Sequence, residues 1–303
     1  MNRQITLITI FLLLFNFIVS GQGCSDAGAC SFELPDLKTS DTAQTNHLNL
    51  NFTQSFALGE KFIFISQSVL DIQYRISTST NAQLSIPFVF TYGNLGYTYG
   101  PGDMILTLSQ SFFNKKNFRL TAILGSRIKV NNAAFSFDGQ PLPMAYQTSL
   151  GTYDIITGLQ YARAKWNFYM AYQHPFGRNE NGYLIPEGET NADKQYFESA
   201  YLKRGDDLYA RLRYYHNLRS GTSLTFTLLA IYRLQKSEII KNDRNTILEG
   251  SDGLTLNPGI TFSKVLKKSR KLSFQLAFPV IDRDYRADGL TRNAVISVRI
   301  SNL

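Results

Sequence analysis

Residues 272–280 read Leu-Ser-Phe-Gln-Leu-Ala-Phe-Pro-Val. Leu272, Phe274, Leu276, Phe278 and Val280 are apolar at every second position, with Ser273, Gln275 and Ala277 between them. In a strand, alternate side chains point to opposite faces, so this segment has one apolar and one wetter face. The same rhythm recurs at 48–56, 70–76, 84–90, 104–112, 118–124, 153–161, 166–172, 208–215, 224–232, 254–262 and 294–300. No helical pattern of comparable strength competes with it. A chain that repeats one apolar face from end to end satisfies both faces by closing, with lipid outside and a polar lumen inside. The expected fold is therefore all-β: an antiparallel up-and-down transmembrane β-barrel of about twelve strands over 46–303.

Connection lengths give a second reading. Going backwards from the last strand, 282–291, 237–250, 176–206, 131–150 and 93–102 are the longer connections. They alternate with shorter ones at 265–270, 217–221, 162–165, 113–117 and 77–82. Outer-membrane barrels have an even strand number, short periplasmic turns and longer outer loops. Both termini are then expected in the periplasm of a Gram-negative cell. The short 57–60 connection is the exception, standing where an outer loop is expected.

Residues 1–21 read as a signal peptide: Arg3, an apolar run from Ile5 to Val19, then the small residues Ser20 and Gly21. That run is short for a spanning helix, which needs roughly twenty residues. Residues 22–45 are rich in Ser, Asp, Thr and Gly and show no period, so they read as a periplasmic tether or a lumen plug. Cys24 and Cys30 lie close together in this tract, and a small disulfide in an oxidising compartment is the favoured reading. Lipidation of Cys24 is the alternative, with Gly21 standing where an aliphatic residue is preferred. Removing 1–21 takes away Arg3 and no acid, leaving 30 basic and 23 acidic residues, net +7. The charge is spread along the chain without a recognition motif, which argues against nucleic-acid binding.

The inward face carries the charge. Arg75, Arg119, Arg127, Lys129, Arg211, Arg213, Arg233 and Arg299 fall on the polar side of their strands, with Asp71 and Asp154 as the clearest acids among them. On a lipid face each charge would cost roughly 2–4 kcal/mol at mid-membrane. Tyr169, Tyr209 and Tyr215 share that inner side. The bland reading is arginines hydrogen-bonding across a filled interior; the functional one is a positive lumen favouring anionic solutes. Neither a metal nor another cofactor is expected. His47, His174 and His216 lack a serine partner at a useful spacing, so no catalysis is expected. Gly100-Pro101-Gly102-Asp103 reads as a turn.

The tract Gly23 to Cys30, the segment Leu84-Ser85-Ile86-Pro87-Phe88 and the turn Tyr99-Gly100-Pro101-Gly102-Asp103 carry a resemblance. The chain resembles a Bacteroidetes-type outer-membrane protein, and more narrowly is similar to the family labelled MetA-pathway of phenol degradation, a relative of fatty-acid and aromatic-hydrocarbon channels. The resemblance implies a monomeric barrel set in outer-membrane lipid that passes a small, hydrophobic molecule. Leu303 departs from the terminal aromatic that barrel insertion generally reads. The expected function is a passive channel or transporter for small molecules; a structural or adhesive barrel working through its outer loops is the alternative.

Overall fold

The computed structural model describes residues 47–115, 118–218, 221–266, 270–289 and 292–303. The predicted signal peptide, the 22–45 segment and the Cys24–Cys30 pairing lie outside them.

The wall consists of β1 (Leu48–Gly59), β2 (Phe64–Arg75), β3 (Thr80–Gly93), β4 (Gly96–Pro101), β5 (Met104–Lys115), β6 (Phe118–Ile128), β9 (Tyr153–Arg163), β10 (Trp166–Phe176), β11 (Asp207–Asn217), β12 (Thr222–Arg233), β15 (Gly253–Val265), β16 (Lys271–Ala277) and β17 (Arg292–Ser301). Each pairs antiparallel with the next along the chain, except that β5 pairs with β3 rather than with β4, and β1 pairs with β17, so the sheet closes. β4 and β5 run end to end along β3, as Phe90↔Tyr99 and Ser85↔Ile105 show, and count as one wall position. The barrel therefore has twelve positions and no open edge, as a lipid setting demands.

Two boundaries differ from the sequence reading. The expected loop at 93–102 is instead a hairpin, turning at Asn94–Leu95, whose register slips by one residue at Gly102–Asp103. Gly100-Pro101-Gly102-Asp103 is thus a bulged strand rather than a turn. Pro87, which has no N–H to give, faces the bulge, and its carbonyl accepts from Gly102 N at 2.9 Å. The strand expected to run to Val280 ends at Ala277. Phe278 and Val280 still donate to β15, at Pro258 O and Leu256 O, but the ladder to β17 has ended.

The outer surface is apolar between two aromatic belts. At the short-turn end Tyr74, Phe113, Phe118, Tyr161, Trp166 and Tyr214 form one belt, with Trp166 and Tyr214 at 4.7 Å between ring centres. Tyr92, Tyr99, Tyr153, Phe176 and Tyr232 are exposed at the other end. The eleven residues of β10, rising ~3.4 Å each at a ~40° tilt, give a height of about 26 Å. That matches the hydrocarbon band of known outer-membrane barrels.

The long connections are not free loops. The 129–152 connection carries β7 (Ser136–Phe137) and β8 (Gln140–Pro141), and 234–252 carries β13 (Glu238–Lys241) and β14 (Arg244–Ile247). Tyr146 from the first of these, with Tyr183 and Tyr196 from the 177–206 connection, packs against wall residues Ala57, Ile65, Val89 and Val295, so the long-loop end is capped from within.

Candidate functional site

The lumen is the candidate site, and it falls into three zones. At the short-turn end the inward side chains of Arg75, Arg119, Arg213, Lys271 and Arg299 are half-buried, so water reaches the interior there. Asp71 is fully buried among them: Arg299 Nη2 lies 3.2 Å from its carboxylate, and Ser85 Oγ donates to it at 2.5 Å. Each of these residues points inward because its neighbours in register alternate with the apolar positions of the outer face.

The middle zone is asymmetric. Ile105, Ile123, Ile156, Ala171, Leu229 and Ile231 form an apolar inner wall over β5 to β12, joined by Tyr169 and Tyr209. The Arg211 guanidinium lies 5.0 Å from the centre of the Tyr169 ring, a desolvated cation–π contact. On β15 the wall is polar: Thr255 and Asn257 are buried, and neither the Thr255 hydroxyl nor the Asn257 amide has a hydrogen-bond partner among the described residues.

The cap forms the third zone. Gly102 carries no Cβ, and one placed there would lie 2.9 Å from Thr148 O, so the glycine lets the connection approach the wall. Beside it Asp103 accepts from Ser149 Oγ and from Leu150 N, the latter at 2.8 Å. Between this segment and β2, β3 and β5 a cavity of about 70 Å³ remains, lined by Gln67, Ser85, Arg127 and Arg292. Two ion clusters pin the cap. Arg204 Nη2 binds the Asp154 carboxylate at 2.6 Å, and Arg127 approaches Asp154 at 3.4 Å and Asp103 at 3.6 Å. Arg233 pairs with Asp207 and with Asp288, both at 2.8 Å, while Arg283 reaches Asp288 at 2.9 Å. Burial opposes ionisation of Asp288, but the Arg283 and Arg233 guanidiniums hold its carboxyl well below the usual carboxylate range.

Above this lies an acid among tyrosines. Glu60 sits in the tight β1–β2 connection, where Lys61 and Phe62 take left-handed backbone angles and Lys61 Nζ donates to Ala192 O at 2.6 Å. Burial pushes the Glu60 carboxyl up to about 7 against the pull of Arg286 and Lys61. Tyr146, Tyr183, Tyr196 and Tyr285 all feel its charge. Burial raises each of those hydroxyls as well, Tyr285 to about 12.

The structure thus places Asp71, Arg75, Arg119, Arg127, Asp154, Tyr169, Arg211, Arg213, Arg233 and Arg299 on inward positions, but at three different heights. Lys129 departs from expectation: it lies past the end of β6, over the outward Tyr153 ring at 5.5 Å. His174 is on the outer side, its Nδ1 2.6 Å from Asp206, which also accepts from Tyr172. Sequence reading missed Asp103, Arg204, Asp207, Arg283, Asp288 and Arg292. All but Asp207 and Arg292 lie outside the strands, where no period marks them; those two sit at strand ends.

No protein-family model matches the chain, and no curated protein sequence matches it. Solved structures do. The COG4313 outer membrane channel from Pseudomonas putida F1 aligns with a TM-score of 0.57 at 16% identity, over 84% of this chain and 94% of that one. The NanC porin aligns at 0.47 and 9% identity over 83% and 97%, and the KdgM porin at 0.45 and 7% over 84% and 98%. At these identities the first likeness shows the barrel fold, and the other two scores are too low to support any argument.

Proposed function

We propose that this chain is an outer-membrane channel of a Gram-negative bacterium, a monomer with both termini periplasmic, that passes small molecules passively. The observation that supports it most is the interior itself. Half-buried cations line it from the short-turn mouth, a two-sided wall follows, and the far end is closed by connections rather than by the wall. The cargo that fits is small, anionic at one end and apolar at the other: Arg211 and Arg213 for the charge, Ile123, Leu229 and Tyr209 for the remainder. Membership of the MetA-pathway of phenol degradation family, and a Bacteroidetes-type origin, belong to this proposal; they rest on the motifs around Cys24, Pro87 and Gly102. The adhesive reading is weaker, because the connections at 129–152 and 177–206 pack inward.

Single-channel recording of the refolded protein in a planar bilayer under a salt gradient tests the reading. Brief, small openings with anion preference are expected, and the preference should fall in an Arg211→Ala/Arg213→Ala double variant. A barrel that stays silent both intact and with residues 134–149 replaced by a short Gly-Ser linker would sink the channel.

A further inference from the structure

Several neutral polar side chains of the inner wall find partners within it. Ser55 Oγ lies 3.0 Å from Ser297 Oγ, Ser263 Oγ lies 2.9 Å from Ser273 Oγ, and Gln83 Nε2 donates to Ser85 Oγ at 3.1 Å. Thr255 and Asn257 on β15 differ. They are 0% and 2% exposed, and among the described residues neither the Thr255 hydroxyl nor either end of the Asn257 amide has a hydrogen-bond partner. Thr53 on β1 and Asn167 on β10 each leave one oxygen in that state, whereas Asn257 leaves a donor and an acceptor on one side chain.

The register explains the pair. Residues two apart on a strand share a face, about 7 Å from each other. Across the ladder to β12, Thr255 and Asn257 stand opposite Ile231 and Leu229, which have nothing to hydrogen-bond. On the other side the ladder to β16 extends no further than Gly259↔Ala277. Beyond it the neighbour is the irregular run 278–281, held to Leu256 through the backbone of Val280 and Ile281. The two polar side chains thus lie at the margin of the apolar inner cluster that contains Leu229, Ile231, Tyr169 and Tyr209. A buried amide without a partner destabilises a fold. A wall built only to pack would carry valine and leucine at these two positions.

We infer that Thr255 and Asn257 form a subsite for an uncharged hydrogen-bonding group on the solute, an assignment that rests on the channel reading for its occupant. The apolar body of the solute lies against Leu229 and Ile231, in register beside the pair. Side-chain chemistry narrows the group. Asn257 offers both a donor and an acceptor, and the Thr255 hydroxyl serves as either. A primary amide or a hydroxyl satisfies both ends of Asn257. A carboxylate would set oxygen against Asn257 Oδ1, and a methyl group would leave the whole pair unsatisfied. Sites built on buried polar groups reject analogues that lack the matching group.

Two probes of similar shape separate these groups: 4-carbamoylbenzoate, which carries the amide, and 4-methylbenzoate, which does not. Binding to the full-length refolded protein is measured by calorimetric titration in detergent, with protein-free micelles as the blank. The parent is expected to bind 4-carbamoylbenzoate at least ~tenfold more tightly. The Asn257→Ala/Thr255→Val variant removes the polar groups without crowding the lumen and should bind the two probes alike. Thr255→Val alone keeps the side chain's shape and should melt at the parent's temperature or above it. Equal affinities in the parent, a preference that survives the double substitution, or no binding of either probe at millimolar concentration overturns the subsite. A Thr255→Val barrel that melts lower does so too, by giving the hydroxyl a part in the fold. Passage is measured separately, as uptake of 4-carbamoylbenzoate into proteoliposomes. A parent that binds with the expected preference yet takes up none keeps the subsite and overturns the channel.

Discussion

Replacing Glu60 by glutamine probes the cap where its charge balance is least comfortable. The carboxyl ordinarily titrates at 4.5 and is raised to about 7 by burial. A raised acid is most at home neutral. Its contribution to the packed cap is therefore fully present below pH 4.5 and is lost as pH rises through about 7. The upper bound from such a shift is about 3 kcal/mol, and partial exposure of the carboxylate reduces it to about 1–2 kcal/mol. Local opening of the cap should accordingly become roughly 5–30-fold more frequent between pH 4 and 8.5. Lys61 and Arg286 offset the ionised form, and Tyr146, Tyr183, Tyr196 and Tyr285 stay protonated across this range. Amide hydrogen exchange over 144–150 and 196–202, corrected for the intrinsic pH dependence of exchange, measures the opening. The Glu60→Gln variant should flatten the profile at the level the parent shows at pH 4. A parent profile that is already flat, or a sloping one that the Glu60→Gln substitution leaves unchanged, would refute the reasoning.

The other expectations concern the pins of the cap. Asp288→Asn leaves Arg233 and Arg283 buried without the carboxylate both of them contact at 2.8–2.9 Å. It should cost about 3–5 kcal/mol, read as earlier proteolysis within 278–289 and a lower melting temperature. Asn181 is fully buried and donates to Ala133 O and Leu142 O while accepting from Tyr183 N and Ser199 Oγ. Asn181→Ala strands those groups and should cost about 2–4 kcal/mol by thermal melting, more than any exposed asparagine in the same connections. Gly289 has φ +69° and no room: a Cβ there would stand 2.3 Å from the Met144 carbonyl carbon. Gly289→Ala should therefore loosen the cap by about 1–3 kcal/mol, and hydrogen exchange in 144–150 should rise with it.

The wall was legible because its physics is periodic. Leu272, Phe274 and Leu276 announce a lipid face, and Arg211 and Arg213, each flanked by apolar residues, announce an interior. The ends of strands were less legible. Alternation continues through Phe278 and Val280 although the ladder to β17 stops at Ala277, and pattern alone does not report a lost partner. The bulge at Gly102–Asp103 looked like a turn because glycine and proline mark both. The cap left almost no trace in the sequence. Asp288 and Arg283 are ordinary loop residues until folding brings them to Arg233, some fifty positions away. Asn179 and Asn181 look like surface asparagines, yet they hold two connections together through backbone groups of Leu150, Leu202 and Ala133.

The seam between β1 and β17 has a consequence for how such a molecule comes into being. It pairs Asn51 with Ser301 and Phe56 with Ile296, residues about as far apart in sequence as the chain allows. Bringing those ends together costs about 5 kcal/mol in loop closure, against ~2 kcal/mol for a ten-residue hairpin. The adjacent hairpins can therefore zip early, one after another, while the seam waits for the final strand to emerge. Until then Asn51, Thr53, Ser55 and their opposite numbers present unpaired amides on two raw margins, which hydrocarbon does not tolerate. Assembly is consequently a late, all-at-once event, and a chain released before β17 has docked is a candidate for edge-to-edge aggregation rather than a slightly smaller barrel.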